Sequence, residues 1–416
     1  MSINSSREFL ADVVASGDYL ITEHILAGHN IQLAPGLYPP PDWNLYPTPA
    51  HSVTFTGTTG KDTLFAGGGE LLAFFMGSRG DDLYGVGPSP DVFVNSYVDY
   101  SEAKKGVFLD GSYRGSRTFI DAEGETQTVA VIGRARDGFG GTDYFAESAE
   151  DWAAGSTSVI GVFGSSHRDV MIDGGAGFFE FYGGAGDDLL IGWSCYGGAG
   201  DDRLIRTGAG DWSGWANGEE GDDCLIGSDF IDSRLSGGAG DDRIFAKGGN
   251  DGYVTGNEGN DYVDGGAGDD FIDGGVGKDV LVSGAGSDVI NPDVEYFQRD
   301  PNQARDGARD VIRVTRADVG DFNDVVLSRA FEEDRDQVRF REAAAGRDFR
   351  VYHEDQSINP ATGRPFRSDD LADRANTVLQ IDVDGDGFGG AAADGDDYFL
   401  FVLDADLAQR SGWLLT

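Results

Sequence analysis

Between Gly256 and Asn291 the chain reads GNEGNDYVD, GGAGDDFID, GGVGKDVLV and SGAGSDVIN, four consecutive units of nine residues. Each follows G-G-x-G-x-D-x-U-x, where U is large and apolar, with substitutions at the first three places. The sixth-position aspartates are Asp261, Asp270, Asp279 and Asp288, and the apolar residues two places on are Val263, Ile272, Leu281 and Ile290. So short a period excludes helices and long strands. Six residues make a turn and three make a strand, and the chain must wind as a solenoid in which two units complete one coil. Glycines at positions one, two and four permit positive φ in that turn.

The register extends upstream with interruptions. Asp251 and Asp242 precede the tandem units, GEEGDDCLI supplies Asp223, GGAGDDRLI Asp202 and GGAGDDLLI Asp188, while GSSHRDVMI carries Asp169 in a weaker unit. GTTGKDTLF and GSRGDDLYG add Asp62 and Asp82 far upstream. In GGAGFFEFY the sixth place holds Phe179, and in TGAGDWSGW it holds Trp212, so these turns are expected to bind no metal and their aromatics to pack.

Stacked coils lie one strand spacing apart, about 4.8 Å, so one aspartate per turn becomes a row of carboxylates. Such a row repels itself unless cations lie in it. Aspartates and turn carbonyls supply six or more hard oxygens, which suits Ca²⁺. Zinc and copper are disfavoured by the absence of nearby His or Cys ligands. Phosphate in the glycine loops would be repelled by the same acids.

These units resemble the hemolysin-type, or RTX, calcium-binding repeats of proteins exported by bacterial type I secretion. The resemblance is densest over residues 183–291 and weaker over 57–85 and 160–182. It implies an all-β fold, a parallel β-roll (β-solenoid) with Ca²⁺ between stacked turns. It also implies an extracellular location, with the type I secretion machinery as partner during export and an uncleaved C-terminal signal. That would account for an N-terminus, MSINSSREFLADVV, without a basic flank, apolar core or small-residue cleavage site.

The remaining segments suggest five divisions. Residues 1–56 form an N-terminal cap or a small recognition module; six of the twelve prolines cluster between Pro35 and Pro49 as a rigid linker. Residues 57–85 hold a first repeat pair, 86–159 a β-rich insertion and 160–291 the roll. Residues 292–416 form a C-terminal β cap of mixed or antiparallel strands such as RDVIRVT, DQVRFRE, DFRVYHE, TVLQIDV and DYFLFVL, together with the secretion region. Within it Asp382, Asp384 and Asp386 have D-x-D-x-D-G spacing, but Ala393 stands where an EF-hand needs glutamate. Either a modified Ca²⁺ loop, aided by Asp394 or Asp396, or a plain acidic turn fits.

A formal charge of -42, from 73 acidic and 31 basic residues, argues against nucleic acid and anionic membranes as partners. No stretch reaches the ~18 apolar residues of a membrane span. HExxH and G-x-S-x-G are absent and the five histidines are scattered, so no catalytic site is expected. Paired acids such as Asp187-Asp188 and Asp201-Asp202 follow from repeat register. Cys195 and Cys224 are either two free thiols or one disulfide. The expected protein is a non-enzymatic, Ca²⁺-folded extracellular component of a surface, adhesion layer or matrix, with polysaccharide or a cell surface as its contact. The alternative is a secreted enzyme with its site outside the repeats.

Overall fold

The computed structural model describes residues 30–34, 51–56, 59–61, 63–66, 71–86, 96–120, 126–147, 160–174, 179–207, 214–286, 288–292, 308–314, 325–327, 336–340, 349–353, 375–382, 397–403 and 414–415. Among these residues every regular element is a strand. The chain is all-β, built mainly from parallel pairs, as the nine-residue period requires. It divides into two compact units, Met1–Asp202 and Arg203–Thr416.

In the second unit one parallel sheet stacks Trp215–Glu220, Arg234–Ala239, Val254–Glu258, Phe271–Val276, Asp288–Asn291 and Val325–Leu327. The other stacks Arg203–Arg206, Cys224–Ile226, Arg243–Phe245, Tyr262–Asp264, Val280–Val282, Val311–Val314 and Gln337–Phe340. Side chains alternate across a strand, so these strands send apolar residues inward. Leu225, Ile244, Val263, Leu281, Ile312 and Val338 from one sheet, and Ala216, Leu235, Val254, Ile272 and Ile290 from the other, have 0% exposure. Burying a large aliphatic side chain this way contributes about 1.5–3 kcal/mol. Near the C-terminus, Asp397–Leu403 joins parallel to Val325–Leu327, then pairs antiparallel with Ala375–Asp382, which in turn pairs with Phe349–His353.

In the first unit, Leu71–Met76, Ser96–Asp99, Ile160–Phe163, Phe179–Ala185 and Ser194–Ala199 run parallel. An antiparallel meander interrupts the other stack. Thr126–Arg136 pairs with Gly115–Ile120, Phe108–Asp110 and Thr142–Glu147, and the last returns to parallel pairing with Leu83–Val86. Phe179, in the unit that lost its aspartate, is fully buried against Phe145 at 5.3 Å and Phe181 at 5.9 Å. The aromatic ring fills the coil from within, as expected of a turn without its acid.

The turn differs from expectation at its first glycine. In the turn from Gly256 to Asp261, positive φ occurs at position two (Asn257, 79°) and position four (Gly259, 142°), and not at Gly256. At position one Gly256 is needed for clearance. A methyl group on Gly256 would collide with Asp261 Oδ2 and with the Gly274 carbonyl of the next coil. Glu219, Lys247 and Asn257 are the non-glycine residues with positive φ among the described residues, and all three stand at position two. Such a conformation costs an ordinary side chain about 1–2 kcal/mol, so the stacked coil imposes it.

Candidate metal sites between the turns

Alternate units place their aspartates in separate rows. In the second unit one row is Asp223, Asp242, Asp261, Asp279, Asp310 and Asp336. Each backbone N–H donates to Oδ1 of the next, at 2.8, 2.8, 2.9, 2.8 and 3.0 Å. The other row is Asp232, Asp251, Asp270 and Asp288, linked the same way at 2.7, 2.9 and 3.0 Å. In the first unit Asp169 donates to Asp188 at 2.7 Å and Asp188 to Asp202 at 2.8 Å. Asp82 donates to Asp143 at 3.0 Å. All these aspartates are buried, with no more than 3% exposure.

The coil length follows from the same bonds. Asp232 and Asp251 are 19 residues apart, as are Asp242 and Asp261, whereas Asp261–Asp279 and Asp270–Asp288 span 18. Among the described rows, the tandem units are the ones that keep the strict double period. The Asp188–Asp202 coil is compressed to 14 residues, because Trp193 alone separates the strands Leu189–Gly192 and Ser194–Ala199.

The paired acids resolve into two ladders of opposite sense. The buried sixth-position carboxylate accepts from the preceding coil. The exposed fifth-position side chain accepts from the following coil: Asp222 Oδ1 from Asp241 N–H at 2.8 Å, and Asp241 Oδ1 from Asn260 N–H at 2.8 Å. Asn260 holds the exposed Asp241 carboxyl below its usual range.

One oxygen of each buried carboxylate thus serves the backbone. The other defines the candidate site. The Oδ2 atoms of Asp188, Asp242, Asp251, Asp261 and Asp270 are buried and accept no hydrogen bond. Beside those of Asp188, Asp242, Asp261 and Asp270 lies a further acceptor. A methyl on Gly237 would meet both Asp242 Oδ2 and the Gly256 carbonyl; one on Gly183 would meet Asp188 Oδ2 and the Gly197 carbonyl. For Asp270 the partner oxygen is the Ser283 carbonyl. Two buried acceptors facing each other without a donor cost several kcal/mol unless a cation or proton lies between them.

Burial, chiefly, pushes the carboxyls of Asp188, Asp242 and Asp251 up to about 8 and those of Asp261 and Asp270 up to about 7. Neighbouring carboxylates add to this: Asp169 and Asp202 for Asp188, and Asp261 and Asp223 for Asp242. The backbone N–H from the adjacent coil opposes it in every case. Among the described residues no three His, Cys, Asp or Glu side chains converge as a metal centre. A cation here would draw on carboxylates of one or two turns and take its remaining oxygens from turn carbonyls and water. Ca²⁺ accepts such irregular sets of hard oxygens, and the donors present fit it.

Of the other expected ligands, Asp62, Asp384 and Asp386 lie outside the described residues, as do Trp212 and the side chain of Asp382, which ends the strand Ala375–Asp382. Asp82 Oδ2 accepts Ser78 Oγ at 2.9 Å. Asp169 sits in its row, but both its oxygens accept protein donors: Oδ2 the Ser165 N–H at 2.6 Å, and Oδ1 the Val107 N–H at 2.6 Å. Four row members escaped the sequence pattern: Asp143, Asp232, Asp310 and Asp336. Asp310 and Asp336 carry only the D-x-U remnant, Asp310-Val311-Ile312 and Asp336-Gln337-Val338. Asp232 was findable by arithmetic, since it lies 19 residues before Asp251. Cys195 and Cys224 are free thiols.

A parallel roll with rows of buried aspartates in glycine turns defines a calcium-binding solenoid. The family model of the RTX calcium-binding nonapeptide repeat matches in four copies, over residues 54–70, 217–253 and 255–290. The chain therefore carries hemolysin-type RTX repeats, and these bind Ca²⁺. No curated protein matches the chain. Asp188, Asp202, Asp310 and Asp336 extend the same backbone-to-carboxylate pattern beyond the matched residues.

Proposed function

We propose that this is a secreted, non-enzymatic calcium-binding protein whose roll is completed by Ca²⁺ between adjacent turns, and which serves as an extracellular surface, adhesion or matrix component. The ligands are Asp188, Asp202, Asp223, Asp242, Asp251, Asp261, Asp270, Asp279 and Asp288, each with carbonyls of its own and the neighbouring turn. The observation that carries this reading is that the buried Oδ2 atoms of Asp188, Asp242, Asp261 and Asp270 face turn carbonyls and accept no hydrogen bond.

Extracellular Ca²⁺ modules bind with dissociation constants of about 10⁻⁴ to 10⁻³ M. At roughly tenfold excess each site stabilises the fold by about 1.4 kcal/mol. Where Ca²⁺ is scarce, the carboxylate rows oppose folding, which keeps the chain extended enough for export through a type I secretion machine. Where Ca²⁺ is abundant, the rows become the element that closes the coils. Circular dichroism of the full chain, in millimolar Ca²⁺ and in excess chelator, tests this. Loss of β signal on chelation, restored by Ca²⁺, is expected; a spectrum indifferent to chelator would defeat the proposal.

A further inference from the structure

Among the described residues, two turns in the rows share a construction that the glycine-marked turns lack. The turns from Gly227 to Asp232 and from Gly164 to Asp169 read G-S-x-x-x-D, with serine at position two and Phe230 or His167 where the others carry the fourth-position glycine. None of Ser228, Phe230, Ser165 and His167 adopts positive φ. The backbone that elsewhere curls in the left-handed sense at these two places therefore takes another path.

The hydrogen bonds of the two turns match closely. Ser228 N–H donates to Asp232 Oδ2 at 2.9 Å, and Ser165 N–H to Asp169 Oδ2 at 2.6 Å. Ser228 Oγ lies 3.1 Å from Asp232 Oδ1, and Ser165 Oγ 2.8 Å from Asp169 Oδ1. Each serine oxygen also accepts an N–H two residues on, from Phe230 or His167, at 3.1 Å. The Oδ2 that faces only acceptors in Asp242 or Asp261 is here satisfied by the turn's own amide. At Asp232 a cation is also present: Arg206 Nε lies 2.9 Å from Oδ1, and both side chains have 0% exposure. A guanidinium so deeply buried requires an anionic partner, and Asp232 is that partner.

We propose that the G-S-x-x-x-D turns are calcium-free members of the rows, and that Arg206 is the resident cation of the Asp232 turn, standing in for the metal. The inference rests on the calcium reading above and sharpens it by assigning which turns take the ion. Its structural consequence is that coils at Asp169 and Asp232 hold their carboxylates without Ca²⁺, and offer preformed rungs on which the metal-dependent turns assemble.

Amide hydrogen exchange of the full chain, with Ca²⁺ and in excess chelator, distinguishes the classes. Residues 228–232 and 165–169 are expected to change by less than about tenfold on chelation, while 238–242, 257–261 and 275–279 accelerate by more than about a hundredfold. Equal acceleration in both classes would overturn the inference and leave the calcium reading standing. No acceleration anywhere would remove both. Arg206→Gln gives a second readout: protection of 228–232 in chelator is expected to vanish, with no fewer Ca²⁺ bound by the saturated chain. A count lower by one in that variant would mean that Arg206 supports a metal site, and would overturn the assignment.

Discussion

The backbone N–H of Asp261 donates to Oδ1 of Asp279, 18 residues ahead, at 2.9 Å, while Asp279 donates in turn to Asp310. Asp261 itself does two things at once. It ties its coil to the preceding one through Oδ1 and offers Oδ2 to the gap between turns. The two roles separate chemically, because asparagine keeps an acceptor oxygen and loses the charge.

Asp261→Asn should accordingly keep the backbone tie and weaken the metal. Calorimetric titration is expected to give at least one Ca²⁺ fewer, with stability in saturating Ca²⁺ down by about 1–3 kcal/mol. Asp261→Ala removes both roles and should cost more. An unchanged Ca²⁺ count in Asp261→Asn would place the ions elsewhere.

Gly256→Ala tests the clearance at position one. Gly256 does not need positive φ, so any effect comes from the methyl group entering the space between Asp261 Oδ2 and the Gly274 carbonyl. A loss of about 1–3 kcal/mol, the range for overpacking, with weakened Ca²⁺ binding, is expected from chemical denaturation at saturating Ca²⁺.

Protonation should compete with metal. The folded carboxyls of Asp242 and Asp261 titrate near 8 and 7, against about 3.9 in an unfolded chain. Between those values the metal-free fold holds protons that the unfolded chain has released, so its stability falls as pH rises through about 4 to 8. Acidification in chelator should therefore recover β structure. Ca²⁺ must displace the same protons, so its affinity should strengthen with pH over that window. Titrations at pH 5.5 and 8 with indistinguishable affinities would contradict this.

Leu281→Ala removes one of the inward residues that stack between coils, a side chain with 0% exposure. A destabilisation of about 2–5 kcal/mol in Ca²⁺ is expected from thermal or denaturant unfolding. The Ca²⁺ count of the folded fraction should not change, since Leu281 points into the core and away from the turns.

Much of this architecture was legible in the residues. Spacing alone identified Asp261, Asp270, Asp279 and Asp288 and placed Val263, Ile272, Leu281 and Ile290 inside, because a nine-residue period admits one inward side chain and one turn acid per unit. Asp232 was hidden from the motif, since Ser228 and Phe230 erase two of the glycines that mark the turn, and only the 19-residue interval to Asp251 points to it. Asp310 and Asp336 were hidden for another reason: their coils are lengthened to 31 and 26 residues, so no fixed period leads to them. Asp143, far from any nonapeptide, joins a row through Asp82, a link that no spacing announces.

Local chemistry thus determined the strand-turn alphabet, the all-β roll and the choice of calcium, because glycine, aspartate and a large aliphatic residue each act within their own nonapeptide. Which carboxylate oxygens stay open to a cation, and which are closed by Ser165, Ser228 or Arg206, was decided only by the folded stack. Ser165 and Ser228 act from within their own turns, but Arg206 and the carbonyls that face the open oxygens come from other coils, at distances set by the geometry of stacking.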